Sequence, residues 1–464
     1  MRRLLAAALL SAACGSPPES LLGGGGSGGS GIQSGPSPWG TANAKYGASE
    51  GIREQPVVGA TTDEAQNLWV ATQSALYWMK PGEKSFRRFT GADGLHLPGN
   101  AVQYCDRDFT GGDRMCPISG AAAQPGISEI EGGAAGEVFV GYFGIDDGSG
   151  DWSDPNRHTG KLDRVRLTST GALQVDRFDL VATTTAEFWH NRTVQRMLYD
   201  HFQHPHELFL GTNHGVDRVW PDKYRAPNKG EWFLNVTREW LSDHLHPQVC
   251  FHHACDASES DLRLGDWRGL ALSPDGNLWV GGRWTGGQIR WTNDLESWLN
   301  RPGNQIFTAA FGDPYRGPCG SGFCNQPVFM VPAEGDFISV QAVAVAPDGR
   351  VWFASGRTTT NDVPRGLAAW DGKSFQYFDP QRDAGMGESD IRDMVALADG
   401  RLVLAGASTG LVFWNPQTGA HKTLRAGSDL PDDHVFRLKL DRMVDPPTLY
   451  VATEGGAAAL RTLP

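Results

Sequence analysis

The chain has no apolar run long enough to cross a bilayer: Leu4 to Ala13 covers about 10 residues where roughly 20 are needed. Charge is scarce, with only 20% Asp, Glu, Lys and Arg in 464 residues, which excludes a coiled coil or a long helical bundle. Positive charge is in deficit as well. The 53 acids outnumber the 41 bases, giving a formal net charge of -12, whereas a nucleic-acid binder would show a basic face. No Walker loop, dinucleotide fingerprint or G-x-S-x-G elbow occurs in a strand-to-helix context, because helix-forming stretches are almost missing. Glycine is plentiful, at 59 residues, but without a period of three, so collagen is excluded. The 16 tryptophans are too many for a disordered chain. What remains is a turn-rich, aromatic-rich globular protein.

The N-terminus, MRRLLAAALLSAACGS, reads as an export signal with two arginines ahead of a short apolar stretch. Leu10-Ser11-Ala12-Ala13-Cys14 resembles a bacterial lipobox, with Ser11 where an aliphatic residue is usual. It implies cleavage after residue 13 and acylation of Cys14; an ordinary secretory signal is the alternative. A flexible Gly/Ser-rich segment follows and fits a tether over residues 14–36, leaving 37–464 to fold. An acylated cysteine would anchor the protein at a bacterial cell envelope. Gly15 stands where some inner-membrane lipoproteins carry aspartate, which favours the outer membrane. Of the seven cysteines, six remain after Cys14, in three close pairs: Cys105 and Cys116, Cys250 and Cys255, Cys319 and Cys324. In an oxidising compartment such spacing favours three local disulfides.

A pattern recurs through the rest: an apolar alternating run, a turn with Asp and Gly, then a strand with a bulky centre. The centres are Trp69, Phe139, Phe209, Trp279, Trp352, Val403 and Tyr450, separated by 70, 70, 70, 73, 51 and 47 residues. Each unit has room for four short strands, the size of a propeller blade. Seven such units predict an all-β, seven-bladed β-propeller of four-stranded blades. The last unit offers three strands only, so the segment Pro38 to Gly47 is expected to supply the fourth and close the ring.

The strings NLWVAT, NLWVGG, the turn PDG and the linkers GADGLHLPGN and GSDLPDDHV resemble the two-component regulator propeller repeat. Members of that family in sensor kinases use such repeats as periplasmic sensing domains. No kinase region accompanies them here, so that role does not transfer.

Polar residues expected at the start of the innermost strands, and hence at the channel mouth, are His190, Arg192, Asp266, Arg268, Gln341, Asp390, Arg392 and His434. Arginine there could grip an anion and the acids could accept hydroxyl protons; the same residues could equally satisfy one another and water. Nine of the 13 histidines fall between His190 and His253, and residues 146–154 are acid-rich, but neither has metal-hand spacing. No metal or cofactor is expected. The reading is a monomeric, lipid-anchored binding propeller whose long connections carry a ligand or partner protein, with the membrane reached through lipid and no nucleic acid involved. The alternative is a hydrolase or lyase acting on a saccharide or lactone, with Arg268, Arg392, Asp390 and His434 as its charges.

Overall fold

The computed structural model describes residues 35–97, 126–143, 160–180, 193–225, 233–249, 267–290, 307–309, 323–329 and 338–464, with short gaps within some of these ranges. Seven antiparallel four-stranded blades stand around one axis. Their innermost strands are Val57–Thr62, Ile127–Gly132, Val194–Asp200, Gly269–Leu272, Ser339–Val345, Ile391–Ala396 and Val435–Asp441, numbered here as blades 1 to 7. Each contacts the next, and blade 7 contacts blade 1, so the ring is closed. The expected strand shares the last blade: Ala44–Tyr46 adds to Gly456–Leu460 with Ala44 opposite Ala459. Gly35, ahead of the expected fold boundary at residue 37, also bridges to Val444.

All seven repeat centres lie on the second strand of their blades and all are buried. A strand such as Leu68–Thr72 is buried at every residue because both faces of the sheet are covered by other blades. Alternate side chains go to opposite gaps: Leu68 and Val70 face the gap between blades 7 and 1, while Trp69 faces blade 2. The core is accordingly divided into seven clusters, one in each gap between neighbours.

The turns between first and second strands are built by Asp side chains. Asp275, Asp348 and Asp399 accept backbone N–H bonds from residues two further on, and Gly276, Gly349 and Gly400 between them adopt φ of 79°, 83° and 84°. In blade 1 the same position is Gln66, at φ 61°. Its Nε2 donates to Asp441 at 2.9 Å, and Trp39 Nε1 donates to its carbonyl at 2.9 Å, contacts that offset the left-handed backbone.

The outer edges depart from seven separate blades. Phe233–Leu234 joins the outer strands of blades 2 and 3 into one nine-stranded sheet. In blade 4 the third strand, Thr285–Arg290, pairs with both Phe307–Ala309 and Phe323–Pro327. Cys324 therefore sits on a blade strand; Cys14, Cys105, Cys116, Cys250, Cys255 and Cys319 lie outside the described residues.

Close approach between blades demands glycine at the end of the second strand. A Cβ on Gly211 would stand 2.0 Å from the Trp267 carbonyl oxygen, and one on Gly356 would stand 2.1 Å from that of Ile391. Gly356→Ala should cost about 2 kcal/mol or more through overpacking, read as a lowered denaturation midpoint. An unchanged midpoint would show that the blades are not in this contact.

Asp63 is buried, and burial pushes its carboxyl from 3.8 up to about 6, against the lowering hydrogen bonds from Asn67, Trp69 Nε1 and Ala65. The folded chain thus holds this proton more tightly than the unfolded one. The group's contribution is fully present below pH 3.8 and is lost as pH rises through about 6. Wild-type stability relative to Asp63→Asn should therefore fall by on the order of 2 to 3 kcal/mol from pH 4 to pH 7.5, measured by urea unfolding.

Candidate functional site

Six of the seven inner strands carry a β-bulge at their second or third residue: Val58, Ser128, Gln195, Gln341, Arg392 and Phe436 are the extra residues. The residue after each bulge defines one tier around the axis: Gly59, Glu129, Arg196, Ala342, Asp393 and Arg437, with Gly269 opening the inner strand of blade 4. Four members are charged, and they pair across the channel. Arg437 of blade 7 donates through Nε to Glu129 of blade 2 at 2.6 Å and through Nη2 to the Gln195 carbonyl at 3.0 Å. Arg196 of blade 3 donates to Asp393 of blade 6 at 2.8 Å, and Asp393 also accepts the Leu438 N–H at 2.9 Å. At Gly59 and Gly269 the neighbouring blade comes close instead: a Cβ there would stand 2.7 Å from Ile130 Cγ1 and 2.5 Å from Val343 Cγ2.

Two residues further along, Lys439 pairs with Glu131, which also accepts the Tyr199 N–H at 2.9 Å. Beyond them Asp441 accepts from Thr62 Oγ1 at 2.7 Å and from Gln66 at 2.9 Å. Burial pushes the Glu129 carboxyl up, opposed by the Arg437 and Arg196 charges, while Arg196 is held above its ordinary range by Asp393 and Glu129 despite its burial.

These strands enclose a cavity of about 240 Å³ that runs from the charged tier to the end where the inner strands finish. Phe202, Gln203, Arg442 and Met443 stand at its rim.

Five of the eight residues expected at the opposite mouth lie among the described residues. His190, Arg192 and Asp266 lie outside the described residues. None of the other five lines the cavity. Arg268 is buried and donates its backbone N–H to Gly281 at 3.1 Å. Gln341 is buried beside Gly356. Asp390 accepts the Arg357 N–H at 2.5 Å, tying blade 5 to blade 6, and burial raises its carboxyl; Arg392 lies 3.5 Å away. His434 is exposed, with Nδ1 3.3 Å from Asp432. Among the histidines considered for metal, His206 contacts the Tyr199 hydroxyl at 2.6 Å, and the nearby His201 faces Glu64 at 3.2 Å. His204, His246, His252, His253 and residues 146–154 are outside the described residues.

Sequence reasoning missed Glu129, Arg196, Asp393 and Arg437. The available signal was a charge inside an otherwise apolar strand, as in ISEI, VQRML, IRDMV and VFRLK, because such a residue needs a buried partner.

No protein-family model and no curated protein matches the sequence. Among solved structures the chain is similar to Sqt1 of Saccharomyces cerevisiae, at 10% identity over 89% of this chain and 97% of that one, with a TM-score of 0.46. A chain of the mitotic checkpoint complex matches at 12% identity over 99% and 98%, with a TM-score of 0.45. YCF48 bound to D1 peptide matches at 9% over 93% and 98%, with a TM-score of 0.44.

The cross-channel pairs make a direct prediction. Arg196→Met or Asp393→Leu alone should each cost about 3 to 5 kcal/mol by leaving a buried charge unpaired, while the double replacement should recover at least half of that loss. Chemical denaturation of the three variants measures it, and an additive double variant would contradict the pairing.

Proposed function

We propose that this chain is a non-catalytic binding propeller of the two-component regulator repeat type, lipid-anchored through Cys14 at a bacterial cell envelope, with a ligand or partner protein held on its long connections. The observation that carries the binding half is the commitment of the channel acids Glu129, Glu131 and Asp393 to basic partners. A hydrolase or lyase needs a titratable group aimed at open space and in reach of a second one. Here Glu129, Glu131 and Asp393 are each engaged by a base, and Asp390 and His434 serve turns and blade ties.

The anchoring half rests on the sequence around Cys14 and on the glycine-rich segment that leads to the first described residue, Gly35. No helix among the described residues is long and apolar enough to cross a membrane, so lipid would be the means of attachment.

In cells, the wild-type chain should partition into detergent and carry acyl groups on Cys14 by mass spectrometry, and Cys14→Ser should move to the aqueous phase. The purified chain should leave saccharide and lactone substrates unconverted above buffer rates. An aqueous wild type would sink the anchor, and turnover abolished by Asp390→Asn would sink the binding reading.

A further inference from the structure

The cavity at the finishing end of the inner strands has two unlike walls. One is apolar and partly exposed to the cavity, formed by Ala271, Leu272, Val345, Val395 and Leu440. The other carries the ion pairs, and within every pair the exposure is unequal. Arg196 is 13% exposed against 0% for Asp393, Arg437 is 17% against 7% for Glu129, and Lys439 is 29% against 2% for Glu131.

The remaining acids of the lining are buried and already engaged. Asp441 is held by Thr62 and Gln66, and Asp200 accepts the N–H groups of Phe202 and Gln203 at 2.9 Å each. Arg442, by contrast, is exposed as a residue at the rim, but its guanidinium donates to the Ala396 carbonyl at 3.2 Å and burial there holds it below the ordinary arginine range. The wall is therefore close to neutral in sum but cationic in what it presents to the cavity. The Lys439 ammonium has three donors and Glu131 as its carboxylate partner, so donors remain for a guest.

From this geometry we infer that the cavity is a binding site for a small organic carboxylate with an apolar body. The carboxylate sits between Lys439 and Arg442, and the body lies on the Val345–Val395 wall. The volume of about 240 Å³ is below the ~300–1,000 Å³ of drug-sized sites, which limits the guest to a small molecule. A phosphate or other compact dianion would gain nothing from the apolar side. The inference depends on neither the lipid anchor nor the partner proposed above.

Calorimetric titration of the full-length chain in detergent with hexanoate and phenylacetate, against 1-hexanol and hexylamine, tests the assignment. Both carboxylates should bind at least tenfold more tightly than the alcohol and the amine, and rising salt should weaken them. Arg442→Gln, at an exposed position that leaves the ion pairs intact, should weaken hexanoate binding at least threefold, and Lys439→Met should weaken it further. Binding of hexanoate no tighter than that of 1-hexanol, or an affinity unchanged in Arg442→Gln, would overturn the site.

Discussion

Seven inner strands meet at an axis that no eighth blade can cover, and everything at that axis must satisfy itself. Elsewhere a blade buries both faces against its neighbours, and the seven apolar clusters follow from that packing alone. Along the axis each strand shows an edge instead of a face. The protein fills the space with arginine, lysine, glutamate and aspartate whose charges cancel across the channel, because a lone charge there would carry a desolvation cost of several kcal/mol. Arg437 reaching Glu129 and Arg196 reaching Asp393 tie blade 7 to blade 2 and blade 3 to blade 6, pairs that are not neighbours in the ring.

The bulges make this arrangement reachable. An extra residue near the start of an inner strand increases twist and re-aims the next side chain. In blades 2, 3, 6 and 7 that next residue is charged, and in blades 1 and 5 it is Gly59 or Ala342, as small as Gly269 in blade 4. Around the tier the charged residues come in two adjacent couples, Glu129 with Arg196 and Asp393 with Arg437, and each ion pair joins one couple to the other. Gln66 extends the same logic to the cavity's far end, holding a left-handed turn where blades 4, 5 and 6 use glycine and giving its amide to Asp441.

Much of the fold was legible because its signals are local. The period-two runs, the Asp turns and the bulky centres from Trp69 to Tyr450 each report on a few consecutive residues, and the missing fourth strand of the last unit pointed to Pro38 to Gly47, where Ala44–Tyr46 is found. The charged tier was not legible by the same means. Aligning strand beginnings selected Gln341 and Arg392, which are themselves the bulged residues, and Asp390 and His434, which precede the strands. A bulge shifts side-chain direction by one residue, and nothing in a single strand's sequence announces which residue is extra. Pairing between blades 3 and 6 is a property of the closed ring and has no local signature at all.

The central claim is that charges on non-neighbouring blades hold one another across the channel, and a double-mutant cycle between Glu129 and Arg437 tests it most directly. Unfolding free energies of the wild type, Glu129→Gln, Arg437→Met and the double variant give the coupling. The account predicts about 2 kcal/mol or more, with the double variant no less stable than the worse single one. A coupling within about 0.5 kcal/mol of zero, the level expected of independent sites, would contradict it.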